Sequence, residues 1–301
     1  MKPQLKDFRG CGTAIVTPFD GGEVDYQAFA RLVDLQVESG MNFLVPLGST
    51  GETPCLEDDE KVRVLEKCRE HACGKTLVAG VGTNSLRHTI RNIRLLENHG
   101  ADAFLVVVPY YNKPDCRGQY EYFRAVASET DKPVVLYNVP GRTGVNMTAE
   151  TTLKLAEIDN IVAIKEASSK REQILEIVRN APEGFSVFSG NDDETLDLMR
   201  GGAAGVISVA SNLAPALMVA LTQACLRGDW EEAARLNDRL RPLYKNCFIE
   251  SNPMPVKAGL NAMGLIKNEL RLPLVPASEN ASGIMKDCLK GLGIIEIYTY
   301  K

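Results

Sequence analysis

Lys165 is the residue of this chain best suited to covalent chemistry. It lies in Ile161-Val162-Ala163-Ile164-Lys165-Glu166-Ala167, an apolar, β-branched run that reads as a buried strand. Aliphatic neighbours solvate an ammonium ion poorly, so desolvation favours the neutral amine. A neutral lysine is a nucleophile, and its natural partner is a ketone or aldehyde that it converts to a Schiff base. The alternative is a structural lysine, ion-paired to Glu166 beside it. For a strand lysine taken alone that alternative is the commoner outcome, and the rest of the chain decides between the two.

The other residues suited to chemistry fall at the ends of apolar runs. Gly48-Ser49-Thr50-Gly51-Glu52 is a tight turn carrying hydroxyls, and such turns aim successive backbone N–H groups at one point, a nest for a carboxylate or phosphate. Pro109-Tyr110-Tyr111-Asn112 and Tyr137-Asn138-Val139-Pro140 supply tyrosines, which can pass protons to and from a reactive amine. Arg142, in the loop Pro140-Gly141-Arg142-Thr143-Gly144, suits a bidentate grip on a carboxylate, a contact worth about 1.5–3 kcal/mol. In Ser189-Gly190-Asn191-Asp192-Asp193 and Gly205-Val206-Ile207-Ser208, glycines such as Gly190 let the backbone approach a small ligand. Asp192 and Asp193 are expected to cap the helix that follows rather than to hold a metal. A lysine, tyrosines, a nest, an arginine and no metal ligands describe one reaction class. A small keto acid is captured as an imine, loses a proton to become an enamine, and attacks an aldehyde; run backwards, this is an aldol cleavage.

These residues need elements to bring them together. Eight short apolar runs recur: Gly12–Phe19, Phe43–Ser49, Thr76–Gly82, Ala103–Tyr111, Pro133–Pro140, Ile161–Ala167, Phe185–Gly190 and Gly205–Ser211. Their starts are about 20–33 residues apart, the spacing of a repeating strand–helix unit. Most are apolar on both faces, as parallel strands covered by helices are. Amphipathic stretches lie between them (Tyr26–Glu38, Asp58–Cys73 and Leu86–His99), with helix-stopping Gly40, Gly74 and Gly100 close behind. No G-x-G-x-x-G follows the first strand, which counts against a doubly wound nucleotide-binding sheet. The expectation is an α/β fold: a TIM (β/α)8 barrel over residues 1–228, with a helical extension over 229–301 packed on it. The helices expected at its end are Ala214–Arg227, Trp230–Asn246, Pro253–Met263 and Ser278–Leu292, the first being the eighth barrel helix. In such a barrel the C-terminal strand ends form the active site, and the residues named above collect there.

Composition excludes several other classes. A chain of 301 residues with 45% apolar content can bury a large core, and a net charge of -5 argues against nucleic acid or an anionic membrane as partner. The first residues lack an apolar signal region and no stretch is long enough to span a bilayer, so the cytoplasm is the expected location. The 8 cysteines are scattered without a C-x-x-C pair, which speaks against disulfides or zinc. The 3 histidines fall in helix-like stretches, away from the positions of a general base.

The strand-end motifs, in order over essentially the whole chain, resemble the pyruvate-dependent class I aldolase superfamily, which includes N-acetylneuraminate lyases and dihydrodipicolinate synthases. Gly48–Glu52 is similar to its G-[ST]-T-G-E loop, Tyr137–Pro140 to its Y-N-x-P, and Ile164–Ala167 to the stretch bearing its Schiff-base lysine. Gly141–Gly144, Pro109–Pro114 and Asn252-Pro253-Met254-Pro255-Val256-Lys257 are similar to the synthase branch. The resemblance implies condensation of pyruvate with L-aspartate 4-semialdehyde to 4-hydroxy-tetrahydrodipicolinate, in lysine and diaminopimelate biosynthesis. It implies no cofactor beyond the covalent imine, and a tight homodimer, usually paired into a homotetramer.

Residue by residue, the resemblance implies Lys165 as imine former, and Ser49, Tyr137 and Tyr111 as proton relay, with Tyr111 reaching into the neighbouring subunit's site. Thr50 would hold the pyruvate carboxylate, Arg142 that of the semialdehyde, and Ile207 would contribute a backbone carbonyl. Serine at position 49 stands where synthases usually carry threonine. Asn84 and Tyr110 match an allosteric lysine site, but His88 stands where lysine-sensitive members carry a glutamate, and Asp58 and Lys61 where they carry histidines. The expectation is weak or absent inhibition by lysine. The alternatives are an aldolase of N-acetylneuraminate or 2-keto-3-deoxy sugar acids and, more distantly, a non-catalytic keto-acid sensor.

Overall fold

The eight apolar runs form eight strands: β1 (Gly10–Ala14), β2 (Phe43–Val45), β3 (Thr76–Gly80), β4 (Ala103–Val107), β5 (Val134–Asn138), β6 (Ile161–Glu166), β7 (Ser186–Ser189) and β8 (Gly205–Ser208). They pair in chain order, all parallel, and β1 closes on β8 with Gly10 opposite Gly205 and Thr13 opposite Ser208. The (β/α)8 barrel expected from the spacing of the runs is therefore the fold. This computed structural model describes residues 2, 3, 5, 6 and 8–295.

Strands such as β5 and β6 are buried at every position, because helices cover the outer face and side chains fill the inner one. Eight helices make the outer layer: α1 (Tyr26–Glu38), α2 (Asp58–His71), α3 (Leu86–Leu96), α4 (Cys116–Ala127), α5 (Ala149–Ala156), α6 (Arg171–Asn180), α7 (Thr195–Arg200) and α8 (Pro215–Leu226). Their starts are set by local chemistry. The Asp25 carboxylate accepts from the Ala28 amide ahead of α1, and Glu57 with Glu60 forms a reciprocal capping box ahead of α2. Gly100 ends the α3 region at φ 104, and a Cβ there would lie 2.9 Å from the Arg69 Cβ, so only glycine fits.

Each strand is shorter than its apolar run, and in the first two the cause is local. The first leaves the barrel after Ala14, and Phe19–Asp20 then pairs antiparallel with Glu23–Val24 in a small hairpin outside it. The second ends at Val45, because Pro46 lacks a donor and Leu47 turns to φ 60. Ser49–Gly51 consequently forms a single 3-10 turn at the barrel mouth.

Inside the barrel, Phe8, Phe43 and Phe188 pack edge and tilted against one another at 4.7–5.3 Å between ring centroids. Val45, Val78, Leu105, Val135 and Ala163 continue this interior, which leaves the C-terminal strand ends for polar side chains. After the barrel come α9 (Trp230–Asn246), α10 (Met254–Ala262) and α11 (Glu279–Gly291). α10 and the residues just before it reach back to the loop after β2, and this contact shapes the site described next.

Candidate active site

Lys165 and Tyr137 are neighbours across the β5–β6 pairing, and the Lys165 Nζ lies 4.6 Å from the centroid of the Tyr137 ring. Both are buried, at 4% and 7% exposure. Glu166 does not pair with Lys165. Alternation along β6 turns it to the helix side, where its carboxylate accepts from Asn138 Nδ2 (3.1 Å to each oxygen), Gln173 Nε2 (3.1 Å) and the Ser168 amide (2.9 Å). Burial pushes the Glu166 carboxyl above its usual range, while these donors oppose the shift. Asn138 also accepts from the Met147 amide at 3.0 Å. The dipeptides Tyr137-Asn138 and Lys165-Glu166 thus share a plan: one side chain faces the barrel interior, and the next locks the two strands together from behind.

The Gly48–Glu52 loop is narrower as a nest than the sequence suggests. The Gly51 and Glu52 amides donate to the Gly48 and Ser49 carbonyls, leaving the amides of Ser49 and Thr50 at the open start of the turn. Ser49 is exposed, whereas Thr50 is 2% exposed and its Oγ1 accepts from Asn252 Nδ2 at 2.9 Å. Glu52, at φ 52, points inward to a buried ion pair with Lys257, 2.5 Å away. Lys257 also donates to the Glu269 carbonyl (3.0 Å) and lies 4.1 Å from the Phe19 ring centroid. Burial lowers its ammonium to about 8, with Glu52 pulling the other way.

A cleft of about 470 Å³ opens at this end of the barrel. Its wall includes Ser49, Tyr137 and Arg142 and, further out, Asn84, His88 and Tyr110. Thr50, Lys165 and Ile207 are buried and do not line the cleft themselves. Arg142 sits in the helical turn Pro140–Thr143, closed by Gly144 at φ 75, and donates to the Asn252 carbonyl at 3.2 Å. Tyr111 is not brought to the cleft: it is 88% exposed, at φ 71. The Gly190 amide donates to the Glu166 carbonyl at 2.7 Å, and a Cβ on Gly190 would lie 2.7 Å from the Ala167 Cβ, so the close approach it permits is between strands. Asp192 does not cap the helix after it. Its carboxylate accepts from the Val209 and Ala210 amides (3.0 and 2.9 Å), fastening the end of β8, and burial raises its pKa although Lys165 and these donors oppose the rise. Among the described residues no group of three His, Cys, Asp or Glu is placed to hold a metal, and no helix is long and apolar enough to cross a membrane.

Comparison with known proteins agrees with this geometry. The model of the dihydrodipicolinate synthetase family matches residues 7–292. The chain belongs to that family. The 4-hydroxy-tetrahydrodipicolinate synthase of Thermotoga maritima is 46% identical over 293 residues, covering 96% of this chain and 100% of the relative. A crystal structure of dihydrodipicolinate synthase from the same organism has a TM-score of 0.94 at 46% identity, covering 96% of this chain and 99% of the other. A monomeric dihydrodipicolinate synthase variant gives the same TM-score and identity, covering 96% and 98%.

In this member of the dihydrodipicolinate synthetase family, the sequence marked Asn252–Lys257 only as a resemblance and gave the C-terminal segment no role at the site. Asn252, Lys257 and Arg271 all act on the loop after β2 or the helix behind it, Arg271 by a bidentate pair with Glu60 and by donating its amide to Glu52. One signal was available: Lys257 is a lone charge in Pro255-Val256-Lys257-Ala258-Gly259-Leu260, the same signature that singled out Lys165.

Proposed function

We propose that this chain condenses pyruvate with L-aspartate 4-semialdehyde to give 4-hydroxy-tetrahydrodipicolinate through an imine on Lys165. The observation that carries the reading is a buried lysine against Tyr137, which lines the same cleft as Arg142; membership of the family supports it. The Lys165 amine adds to the ketone carbon and water leaves, forming the imine. The protonated imine draws electrons from the adjacent methyl, whose proton passes to the relay of Tyr137, Ser49 and the partner subunit's Tyr111. The enamine carbon attacks the aldehyde, and the relay returns a proton to the new alkoxide. The acceptor's own amino group then attacks the imine carbon and displaces Lys165, which closes the ring and frees the enzyme. Thr50 takes the keto acid's carboxylate, Arg142 the acceptor's, and the Ile207 carbonyl faces the bound keto acid. The protonated imine on Lys165 is the electron sink, so this route calls for no added cofactor. A homodimer or dimer of dimers and a cytoplasmic location go with this reading.

The test is borohydride reduction with pyruvate, followed by intact mass and peptide mapping. A pyruvyl adduct on Lys165 is expected, and its absence would remove the imine. Arg142→Ala should still form the adduct while losing most activity with aspartate semialdehyde, at least about tenfold in kcat/KM. Retained activity in that variant, or faster turnover of N-acetylmannosamine or a sugar aldehyde by the wild type, would shift the assignment to a sugar-acid aldolase.

A further inference from the structure

Thr50 and Arg142 come from different strand ends, yet both contact Asn252. This residue precedes α10 and is 3% exposed. Its side-chain nitrogen donates to Thr50 Oγ1 at 2.9 Å, and its backbone carbonyl accepts from Arg142 at 3.2 Å. Thr50 is itself 2% exposed, so its hydroxyl has few directions open to it. A hydroxyl oxygen that accepts from an amide N–H keeps its own proton for a different acceptor. Asn252 Oδ1 is also buried and has no protein partner among the described residues, so it does not take that proton.

We propose that Asn252 is a positioning residue: its side chain turns the Thr50 hydroxyl into a donor for the keto acid's carboxylate, while its backbone steadies Arg142 for the acceptor. This rests on the functional reading above and extends it, because one residue outside the barrel then sets both carboxylate grips by two separable means. The side-chain part is removed by substitution and the backbone part is not. Asparagine is required at this position because only an amide side chain of this length both reaches Thr50 and donates; a carboxylate would instead accept the Thr50 proton and remove it from the substrate.

The experiment compares Asn252→Asp, Asn252→Ala, Thr50→Val and the Asn252→Ala/Thr50→Val double variant with the wild-type enzyme, measuring KM for each substrate, kcat, the borohydride adduct and the melting midpoint. Asn252→Asp should raise the pyruvate KM about tenfold or more while the aspartate-semialdehyde KM and kcat change less than about threefold. At saturating pyruvate the adduct on Lys165 should form as in the wild type. If Asn252 acts through Thr50, its alanine variant should add less than about twofold to the pyruvate KM in the Thr50→Val background. An unchanged pyruvate KM in Asn252→Asp, or multiplicative effects in the double variant, would overturn the proposal. So would equal losses in every kinetic constant accompanied by a lowered melting midpoint. Lack of an adduct in the wild type would instead overturn the underlying function, which keeps the two failures apart.

Discussion

Successive side chains of a strand face opposite ways, and on β6 this separates the two charges of Lys165-Glu166. An ion pair between sequence neighbours was the simple structural use for the lysine; instead Asn138, Gln173 and the Ser168 amide occupy Glu166 on the far face. The same reading of individual charges applies to the outer part of the cleft. A bound lysine molecule needs a carboxylate for its ammonium group. Here the wall offers His88, Asn84 and Tyr110, and its one carboxylate, Asp58, is already engaged by Lys61 at 3.2 Å and by Arg91. Steady-state rates in millimolar L-lysine should therefore stay within about twofold of those without it. Strong inhibition at submillimolar lysine would show that the altered cleft still holds the ligand.

At the scale of elements, the Glu52–Lys257 pair joins α10 to the loop after β2. Removing one member leaves the other charge buried alone, so Lys257→Met should cost about 3–5 kcal/mol of stability, and adding Glu52→Gln should recover much of it. The pH dependence has an unusual sign. Burial lowers the folded-state ammonium to about 8 from 10.5, so between those values the unfolded chain holds more protons than the folded one. Stability linked to Lys257 therefore rises with pH across that window, and the penalty for the buried charge is fully present below it. Melting midpoints from pH 7 to 10 should shift in favour of the wild type relative to the Lys257→Met/Glu52→Gln variant; a constant difference would contradict the linkage. These tethers also mark the limit of what could be read from the chain. Strand number, closure and the inward-facing Lys165 and Tyr137 were legible because parallel strands leave long apolar runs that end abruptly in polar residues. The Asn252–Thr50 contact spans 202 residues and the Arg271–Glu60 contact 211, and nothing local in either sequence names the other member. Asp192 was misread for a similar reason. Acidic residues before a helix ordinarily cap it, but β8 brought the Val209 and Ala210 amides within reach of its side chain first.

For the whole molecule, Tyr111 is the feature that one chain leaves unexplained. A tyrosine held at φ 71 with 88% of its surface exposed is costly to keep in that pose for solvent alone. The proposed function assigns Tyr111 to a neighbouring subunit's proton relay, and mixing subunits tests that assignment. Tyr111→Phe and Lys165→Ala enzymes should each be nearly inactive, yet co-expressed chains should regain roughly a quarter of wild-type sites, since in a two-fold dimer each hybrid rebuilds one complete site. No recovery, with hybrids demonstrated by mass, would place the relay within a single chain. The tether at Asn252 carries a further consequence, for the order of manufacture. A ribosome completes all eight strands before it reaches residue 252, so the emerging barrel holds its lysine and tyrosine but leaves Thr50 unaimed and Glu52 without its counter-charge. On the proposal above, the grip on a substrate is completed only after residue 252 has been made, a few seconds after the last strand at about 5–20 residues per second.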